Sequence, residues 1–449
     1  MTSDLQPWLK EAETKLNDVP RLAVCGRVTR VVGQVVEATA MPVAVGELCR
    51  IAPGSPSNVL AQVVGFHGGG VFLMPLGEVE GIHPNSPVLP LGREFYAQVG
   101  DGLVGRVLNG IGEPIDGFGP LGQTEHRMLS GNRPDPLART VIEERIATGV
   151  RAIDGCLTMG RGQRIGIMAG SGVGKSMLLG MIARNTDADV NVIALLGERG
   201  REVREFIERD LGPEGLRRSV IVTATSDEAA LVRVNGALVA TTIAEYFRDQ
   251  GKSVMLMMDS VTRIAMAWRE IGLAVGEPPT TKGYPPSVFA ALPKLLERAG
   301  TAKRGSITGL YTVLVEGDDF SEPVADAARS ILDGHIVLSR ELAGRRHFPA
   351  IDVLESVSRV RGAVITPEFQ EASNTLLRIE AAYRSHEDLI SVGAYKKGAD
   401  KEVDTAIQFR DQIKSFLCQP HGEHHDPSIG DQKLIEMGRA MKTYESRLP

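Results

Sequence analysis

The residues of this 449-residue sequence best suited to chemistry lie in a glycine-rich run that ends in a lysine and a serine. The run reads Ala169-Gly-Ser-Gly-Val-Gly-Lys-Ser176, between a strand predicted at Arg164–Met168 and a helix predicted at Met177–Ala183. Glycines let the backbone N–H groups of such a loop turn inward around phosphate oxygens, and the helix N-terminus adds its positive dipole end. The setting predicts a phosphate-binding loop, and a chance glycine-rich turn is the alternative.

Within this loop, Lys175 is expected to reach the β- and γ-phosphates of a nucleotide, and the Ser176 hydroxyl to bind Mg²⁺. Ala169 stands where a glycine is usual, which is tolerable if its φ is negative. The residues assigned to nucleotide binding here are Ala169, Gly170, Ser171, Gly172, Val173, Gly174, Lys175, Ser176 and Met177.

An aspartate follows the apolar run Val254–Met258, which is predicted to be a buried strand. Parallel sheets bind ligands outside the carboxyl ends of their strands, so Asp259 is predicted to be a second Mg²⁺ ligand. The alternative is that Asp259 caps the helix that begins after it, and both roles are compatible.

A third group of charged residues follows the predicted strand Val192–Leu196 and reads Gly197-Glu-Arg-Gly-Arg-Glu202. Glu198 is the first carboxylate past that strand and is suited to polarise an attacking water. Arg199 is expected either to hold Glu198 or to touch phosphate. For Arg201 and Glu202 we favour a solvated helix start.

A fourth segment, Phe348-Pro-Ala-Ile-Asp-Val-Leu-Glu-Ser-Val-Ser-Arg359, carries little information in its composition. An arginine after Ser-Val-Ser is as compatible with an ordinary surface residue as with a functional one.

The elements that must position these residues follow from the apolar pattern. Strands and helical stretches alternate from about residue 148, which indicates an α/β domain with a parallel sheet covered by helices. The predicted strands are Arg164–Met168, Val192–Leu196, Val220–Ala224, Val254–Met258 and Thr308–Val315, with a helix at Glu228–Asp249. This core, with a Gly/Pro-rich connector at 105–120, is assigned to residues 96–366.

The regions on either side of the core have other patterns. Residues 21–95 alternate short apolar runs with Gly, Pro and Asn, which is typical of a small β-barrel. Residues 367–449 are rich in helix formers and predict a helical C-terminal domain. Residues 1–20 predict an amphipathic helix with Trp8 on its apolar face, which either packs on its own domain or docks a partner.

Bulk properties exclude several classes of protein. A net charge of −6 argues against a nucleic-acid-binding protein that is basic over its whole surface. The four cysteines form no CxxC pair, so neither a zinc site nor a redox motif is indicated. The sequence contains no spanning apolar stretch and no secretory signal, so we expect a cytoplasmic protein.

Taken together, these segments resemble the catalytic subunits of rotary ATP synthases and their relatives. Pro349–Ser358 matches that family's signature, and GRVLNGIGEPIDG matches its barrel-to-core connector. Within this superfamily, the segments at 160–176, 196–205, 284–298 and 392–398 are most similar to the flagellum-specific ATPase of type III protein export. The resemblance implies a RecA-like P-loop ATPase core with an N-terminal β-barrel and a C-terminal helical domain.

The resemblance also implies roles for single residues. Glu198 matches the catalytic carboxylate, and Arg359 matches the arginine finger given to a neighbouring subunit. Phe348 matches an aromatic residue that packs on adenine, and Tyr311 a second aromatic position near the nucleotide. Arg263 is expected to order the phosphate site. The implied ligands are ATP and Mg²⁺.

The partners implied by the resemblance are those of an export ATPase. They are further copies of this chain in a hexameric ring, a regulatory export-apparatus subunit at residues 1–20, a central-stalk-like protein and the export gate at the C-terminal domain, and export substrates with their chaperones. No nucleic acid is expected, and the protein is expected to lie peripheral to the inner membrane. The alternatives are the ATPase of an injectisome-type secretion system and a non-catalytic nucleotide-binding ring subunit.

Overall fold

The computed structural model describes residues 24–448, apart from residues 53–57, 132–134, 136, 138, 171 and 316–321. The chain divides into two compact units. One extends to Phe95 and includes residues 274–276, and the other comprises the rest. The helix predicted over residues 1–20 lies outside the described residues.

The first unit is a closed antiparallel barrel with strand order β1-β2-β5-β4-β3-β6. Its strands are β1 Gly26–Val32, β2 Val35–Thr39, β3 Glu47–Ile51, β4 Val59–His67, β5 Gly70–Pro75 and β6 Pro87–Glu94. Val36, Ile51 and Leu73 point inward and are fully buried. The predicted barrel is therefore confirmed. Gly33, with a φ of 57°, divides the apolar run at 27–36 into two strands because it forms the turn between them.

The second unit is built around a nine-stranded sheet of order β19-β18-β12-β17-β15-β13-β14-β8, with β16 beside β17. Its strands are β8 Val107–Asn109, β12 Arg164–Ala169, β13 Val190–Glu198, β14 Ser219–Thr225, β15 Ser253–Asp259, β16 Gly300–Thr301, β17 Ser306–Leu314, β18 Gly334–Leu338 and β19 Ile351–Ser358. Two short pairs accompany it, β7 Tyr96–Val99 with β9 Glu125–Met128, and β10 Arg145–Ile146 with β11 Met159–Gly160.

All five strands predicted in the core are present, and they run parallel to one another. The prediction of a parallel sheet is wrong at two places, because β19 runs antiparallel to β18 and the short β16 runs antiparallel to β17. No strand was predicted in the Gly/Pro-rich connector, yet its residues Val107–Asn109 form the parallel edge strand β8.

Helices cover this sheet and form the C-terminal region. They are α1 Arg151–Cys156, α2 Lys175–Asn185, α3 Gly200–Glu205, α4 Gly212–Leu216, α5 Ala230–Asp249, α6 Val261–Ala274, α7 Pro286–Leu296, α8 Pro323–Ile331, α9 Arg340–Gly344, α10 Pro367–Ser391, α11 Lys401–Leu417 and α12 Pro427–Arg447. A π-helical segment, Phe206–Leu211, joins α3 to α4. Among the described residues, none of the helices is both long and apolar enough to cross a lipid bilayer.

The three long C-terminal helices begin at capping residues that the sequence supplies. The side chains of Thr366, Asp400 and Asp426 accept hydrogen bonds from backbone N–H groups in the first turns of α10, α11 and α12. Such caps satisfy donors that a helix cannot pair internally. The apolar faces of these helices pack together through residues such as Leu376 and Leu434, in the same core as the P-loop strand β12.

Candidate active site

The glycine-rich loop links the end of β12 to the start of α2. Gly172 has a φ of 79° and Gly174 a φ of 93°, values that side chains with a Cβ rarely adopt. Ala169 is the last residue of β12 and is buried in extended backbone, so the usual glycine is not required there. Glycines at two positions thus shape the loop. The loop places the N-terminus of α2 at the carboxyl end of β12.

Lys175, the first residue of α2, contacts the carboxyl ends of two strands of the sheet. Its Nζ lies 2.6 Å from Oδ1 of Asp259 at the end of β15, and 3.2 Å from Oε1 of Glu198 at the end of β13. Burial lowers the pKa of Lys175, but the charges of Asp259 and Glu198 outweigh burial, so the net pKa is raised. Lys175 is therefore a firmly charged cation between two carboxylates.

Asp259 is held from a second side by Thr312, which sequence analysis missed. The Thr312 hydroxyl donates to Asp259 Oδ1 at 2.7 Å, and both residues are almost fully buried. Thr312 lies on β17, which separates β12 from β15 in the sheet. No short motif could have revealed this contact, because it depends on strand order.

Glu198 is 8% exposed and is the last residue of β13, which ends two residues later than predicted. The pairing of β13 with β14 is irregular between Leu196 and Glu198. Gly197, with a φ of 73°, forms this irregularity, and the Arg263 side chain packs closely against it. A bulge of this kind re-aims the side chain that follows it.

Two arginines near Glu198 differ from what the sequence suggested. Arg263 Nε lies 3.4 Å from Glu198 Oε1, whereas Arg199 is largely exposed and lies 3.6 Å from Glu202. Of the two roles expected of Arg199, holding Glu198 is therefore wrong, because Arg199 precedes a new helix and its side chain lies near Glu202 on that helix. Arg263 on α6 contacts Glu198 instead. Contact with phosphate stays a prediction, and Arg199 lines the cavity beside Glu198.

A cavity of about 560 Å³ opens beside Lys175 and Glu198, and its volume is within the size range of small-ligand sites. Four cationic side chains, Lys175, Arg199, Arg263 and Arg340, line it together with the carboxylates of Glu198 and Glu202. Its other lining residues include Ala169, Gly170, Gly172, Gly174, Ser176 and Met177. The cavity is suited to a polyanion. Arg340 was missed because β18, which ends just before it, was not predicted.

The two aromatic residues assigned to the nucleotide have different surroundings. The Phe348 ring lies beside Gly174, about 3.9 Å from where a Cβ on that glycine would stand. Tyr311 is 1% exposed and is not among the described residues that line the cavity. The charge of Arg164, at the amino end of β12, acts on the pKa of the Tyr311 hydroxyl, which burial raises. The expectation that Tyr311 lies near the nucleotide is therefore corrected. Successive side chains on a strand point to opposite faces, so Thr312 and Tyr311 cannot both face the site.

Arg359 follows β19 and lies beside the amino end of β18, whereas the phosphate loop lies at the carboxyl end of β12. Ser358 pairs with Gly334 at the amino end of β18, whereas Ala169 pairs with Leu338 at its carboxyl end. These two ends are about 13 Å apart along the strand at roughly 3.3 Å per residue. The exposed Arg359 side chain donates to the Leu332 carbonyl at 3.2 Å. It is not brought together with Lys175, Glu198 and Asp259 of its own chain.

Family models match three parts of the chain. The nucleotide-binding domain of the ATP synthase alpha/beta family matches residues 149–358, and the beta-barrel domain of that family matches residues 28–92. The T3SS EscN ATPase C-terminal domain matches residues 365–434.

Individual relatives match most of the chain. The flagellum-specific ATP synthase of Bacillus subtilis is 55% identical over 92% of this chain and 94% of its own length. The type 3 secretion system ATPase of Xanthomonas euvesicatoria is 51% identical over 88% of this chain and 90% of its own. Among solved structures, the assembled ATPase EscN in complex with its central stalk EscO, from the type III secretion system of enteropathogenic E. coli, is 47% identical. It superposes with a TM-score of 0.86 over 92% of this chain and 100% of that one.

Proposed function

Since this chain belongs to the family of flagellum-specific ATP synthases and type III secretion ATPases, it is an ATP-hydrolysing enzyme, and we propose that it energises flagellar type III protein export. One observation carries the catalytic part of this proposal. Lys175, at the start of the helix that follows a glycine-rich loop, contacts both Glu198 and Asp259. In the export role, hydrolysis drives release and unfolding of substrates and chaperones at the export gate.

ATP is proposed to bind with its phosphates along the loop at 169–176. Backbone N–H groups of the loop donate to phosphate oxygens, and Lys175 exchanges its contacts with Asp259 and Glu198 for the β- and γ-phosphates. Arg263 and Arg340 add positive charge on the cavity wall. The Phe348 ring beside Gly174 stacks on adenine.

The oxygen donors of the site suit Mg²⁺. The described residues contain no cluster of three or more His, Cys, Asp or Glu side chains that could bind a metal ion. Mg²⁺ typically takes one or two protein oxygens and completes its shell with water and phosphate. Ser176 and Asp259 would supply those protein oxygens. When bound, Mg²⁺ neutralises charge on the β- and γ-phosphates.

Glu198 is proposed to polarise the water that attacks the γ-phosphate. Once Lys175 turns to phosphate, the Glu198 carboxylate is released from its ion pair and can accept a proton or a hydrogen bond from water. Arg263, 3.4 Å from Glu198, limits its movement. Thr312 does the same for Asp259.

Arg359 is proposed to act on the site of a neighbouring subunit. It is exposed, and it lies beside the amino end of β18, away from the phosphate loop of its own chain. A ring of identical subunits, which we propose to be a hexamer, makes every interface equivalent, so each finger meets the next subunit's site. An arginine supplied in trans is worth about 10³–10⁵ in rate.

The partners are proposed from the relatives and from exposed apolar residues. Leu389 and Val392, at and just beyond the end of α10, are 48% and 76% exposed. We propose that this end of the helical region meets a central-stalk-like protein and the export gate. Residues 1–20 are proposed to dock a regulatory subunit, and the protein to be cytoplasmic and peripheral to the inner membrane.

The alternative is the equivalent ATPase of an injectisome, which would perform the same chemistry for a different cargo. Co-purification with flagellar rather than needle-complex components decides between the two cargo systems. A non-catalytic role is disfavoured because Lys175 and Glu198 are both present and in contact.

The catalytic proposal is tested by mixing two inactive variants. Lys175→Ala lacks a working site but carries Arg359, and Arg359→Ala lacks the finger but has a complete site. In randomly mixed rings about a quarter of the interfaces combine an intact site with an intact finger. We expect those interfaces to restore part of the phosphate release. Mixed rings without any recovery would contradict the action of Arg359 in trans.

A further inference from the structure

A fully buried glutamine, Gln163, immediately precedes the P-loop strand β12. Its Nε2 donates to Ser358 Oγ and to the Asp333 carbonyl, both at 3.1 Å, and its Oε1 accepts from Gly160 N at 3.0 Å. A glutamine amide has two N–H donors and one carbonyl oxygen, so both donors and the acceptor are engaged. The ATP-hydrolysing mechanism proposed above assigns Gln163 no role.

The groups that Gln163 holds are those that fix the start of the arginine finger. Ser358 directly precedes Arg359, and its hydroxyl donates to the Thr158 carbonyl at 2.9 Å. The Asp333 carbonyl also accepts from the backbone N–H of Arg359 at 3.0 Å. A single carbonyl therefore receives hydrogen bonds from both the glutamine and the finger residue.

The contact between Gln163 and Ser358 joins two strands that are not neighbours in the sheet. β18 lies between β12 and β19, and the Gln163 side chain reaches across the amino end of β18 to the last residue of β19. Because the phosphate loop lies at the other end of β12, one strand connects the chain's own site to the finger that it presents. The connection is buried, where unpaired polar groups are costly and alternative arrangements few.

We propose that Gln163 is a positioning residue for Arg359, setting the place of the finger through Ser358 and the Asp333 carbonyl. This rests on the proposed action of Arg359 in trans. A neutral amide suits this position, because burying a hydrogen-bonded amide costs less than burying a charged side chain. The finger must be placed to within about 1 Å, since misplacement on that scale can cost roughly 100-fold in rate.

The test places Gln163→Met, an unbranched apolar substitution, in one or the other member of the mixed pair. In the finger arm it is combined with Lys175→Ala, so the altered chain supplies only the finger. In the site arm it is combined with Arg359→Ala, so the altered chain supplies only the site. We expect recovered activity to fall about 10- to 100-fold in the finger arm and less than about twofold in the site arm, with the KM for ATP unchanged.

Equal losses in both arms, or none in the finger arm, would overturn the positioning role. Asn191→Leu is the matched control, because Asn191 is an equally buried amide that bonds to Ala183 and Ser219 and not to the finger strand. It should not lower the finger arm more than the site arm. If the Gln163 variant does not assemble, Ser358→Ala replaces it in the same two arms with the same expectation.

The unmodified pair separates this inference from the proposed function. If Lys175→Ala and Arg359→Ala recover activity while the two Gln163 arms are equal, only the positioning role fails. If the unmodified pair forms mixed rings but recovers nothing, the action of Arg359 in trans fails, and the role of Gln163 with it.

Discussion

The Lys175 ammonium and the Asp259 carboxylate form an ion pair with an N–O distance of 2.6 Å, in which Asp259 is almost fully buried. Glu198 shares the same ammonium from the other side, at 3.2 Å. The lysine therefore joins the two carboxylates that are proposed to bind Mg²⁺ and to polarise water. In the proposed mechanism the phosphates of ATP take over these contacts of Lys175.

Lys175→Ala should abolish hydrolysis and weaken nucleotide binding, because it removes the cation that faces the β- and γ-phosphates. It should also lower the thermal stability of the free protein, since loss of one partner leaves a buried carboxylate unpaired. Phosphate release, nucleotide titration and the melting temperature measure the three effects. Unchanged turnover would contradict the assignment of the loop.

Glu198→Gln should retain most Mg·ATP binding and lose about 10²–10⁴ in turnover, because the amide keeps the shape but not the charge that polarises water. Glu202→Gln is the matched control, since Glu202 lies 3.6 Å from the exposed Arg199. It should change turnover only slightly. A larger loss in Glu202→Gln than in Glu198→Gln would move the catalytic role to Glu202.

Phe348→Ala should weaken ATP binding by about 1–3 kcal/mol, the usual value of stacking between a base and an aromatic side chain. Phe348→Tyr, which preserves the ring, should bind nearly normally. Tyr311→Leu, which removes the ring, should leave ATP affinity nearly unchanged, because Tyr311 is buried away from the cavity lining. Nucleotide titration by calorimetry tests all three, and binding weakened in Tyr311→Leu as much as in Phe348→Ala would restore the predicted role of Tyr311.

Asp154 gives a pH-dependent contribution to stability. It is fully buried, and burial raises its pKa to about 6 although Thr148 and Gly149 donate hydrogen bonds to it. A carboxyl group whose folded pKa is raised binds protons more tightly in the folded state, so its ionisation lowers stability as pH rises from about 4 to about 6. Relative to wild type, Asp154→Asn should gain up to about 3 kcal/mol over that window, at 1.36 kcal/mol per pKa unit. Melting temperatures of both proteins at several pH values test this, and a constant difference would contradict it.

Deletion of residues 1–20 should spare basal ATPase activity and abolish the complex with the proposed regulatory subunit. This prediction comes from the amphipathic pattern, since these residues lie outside those the structure describes. Retained co-purification would contradict the docking role. Loss of folding would favour packing of the helix on its own domain.

The short-range patterns of the sequence were sufficient for much of the fold. The phosphate loop, the five central strands and the barrel follow from glycine positions and from apolar residues that recur within a few positions. Strands β18 and β19 were not predicted, because Gly334–Leu338 is short and the β19 segment does not alternate cleanly. Without these two strands, the sequence could not show that Arg340 lines the cavity or that Arg359 lies away from the phosphate loop.

By itself, the sequence determined which residue types were available for ATP chemistry, because Lys175, Ser176, Glu198 and Asp259 each stand at a recognisable strand or helix end. Only the tertiary structure decided which side chains meet. Thr312 reaches Asp259, Arg263 rather than Arg199 approaches Glu198, and Gln163 bonds to Ser358, the residue before Arg359. These contacts depend on the order of the strands and on the face to which each side chain points, and both are set by packing between segments far apart in the chain.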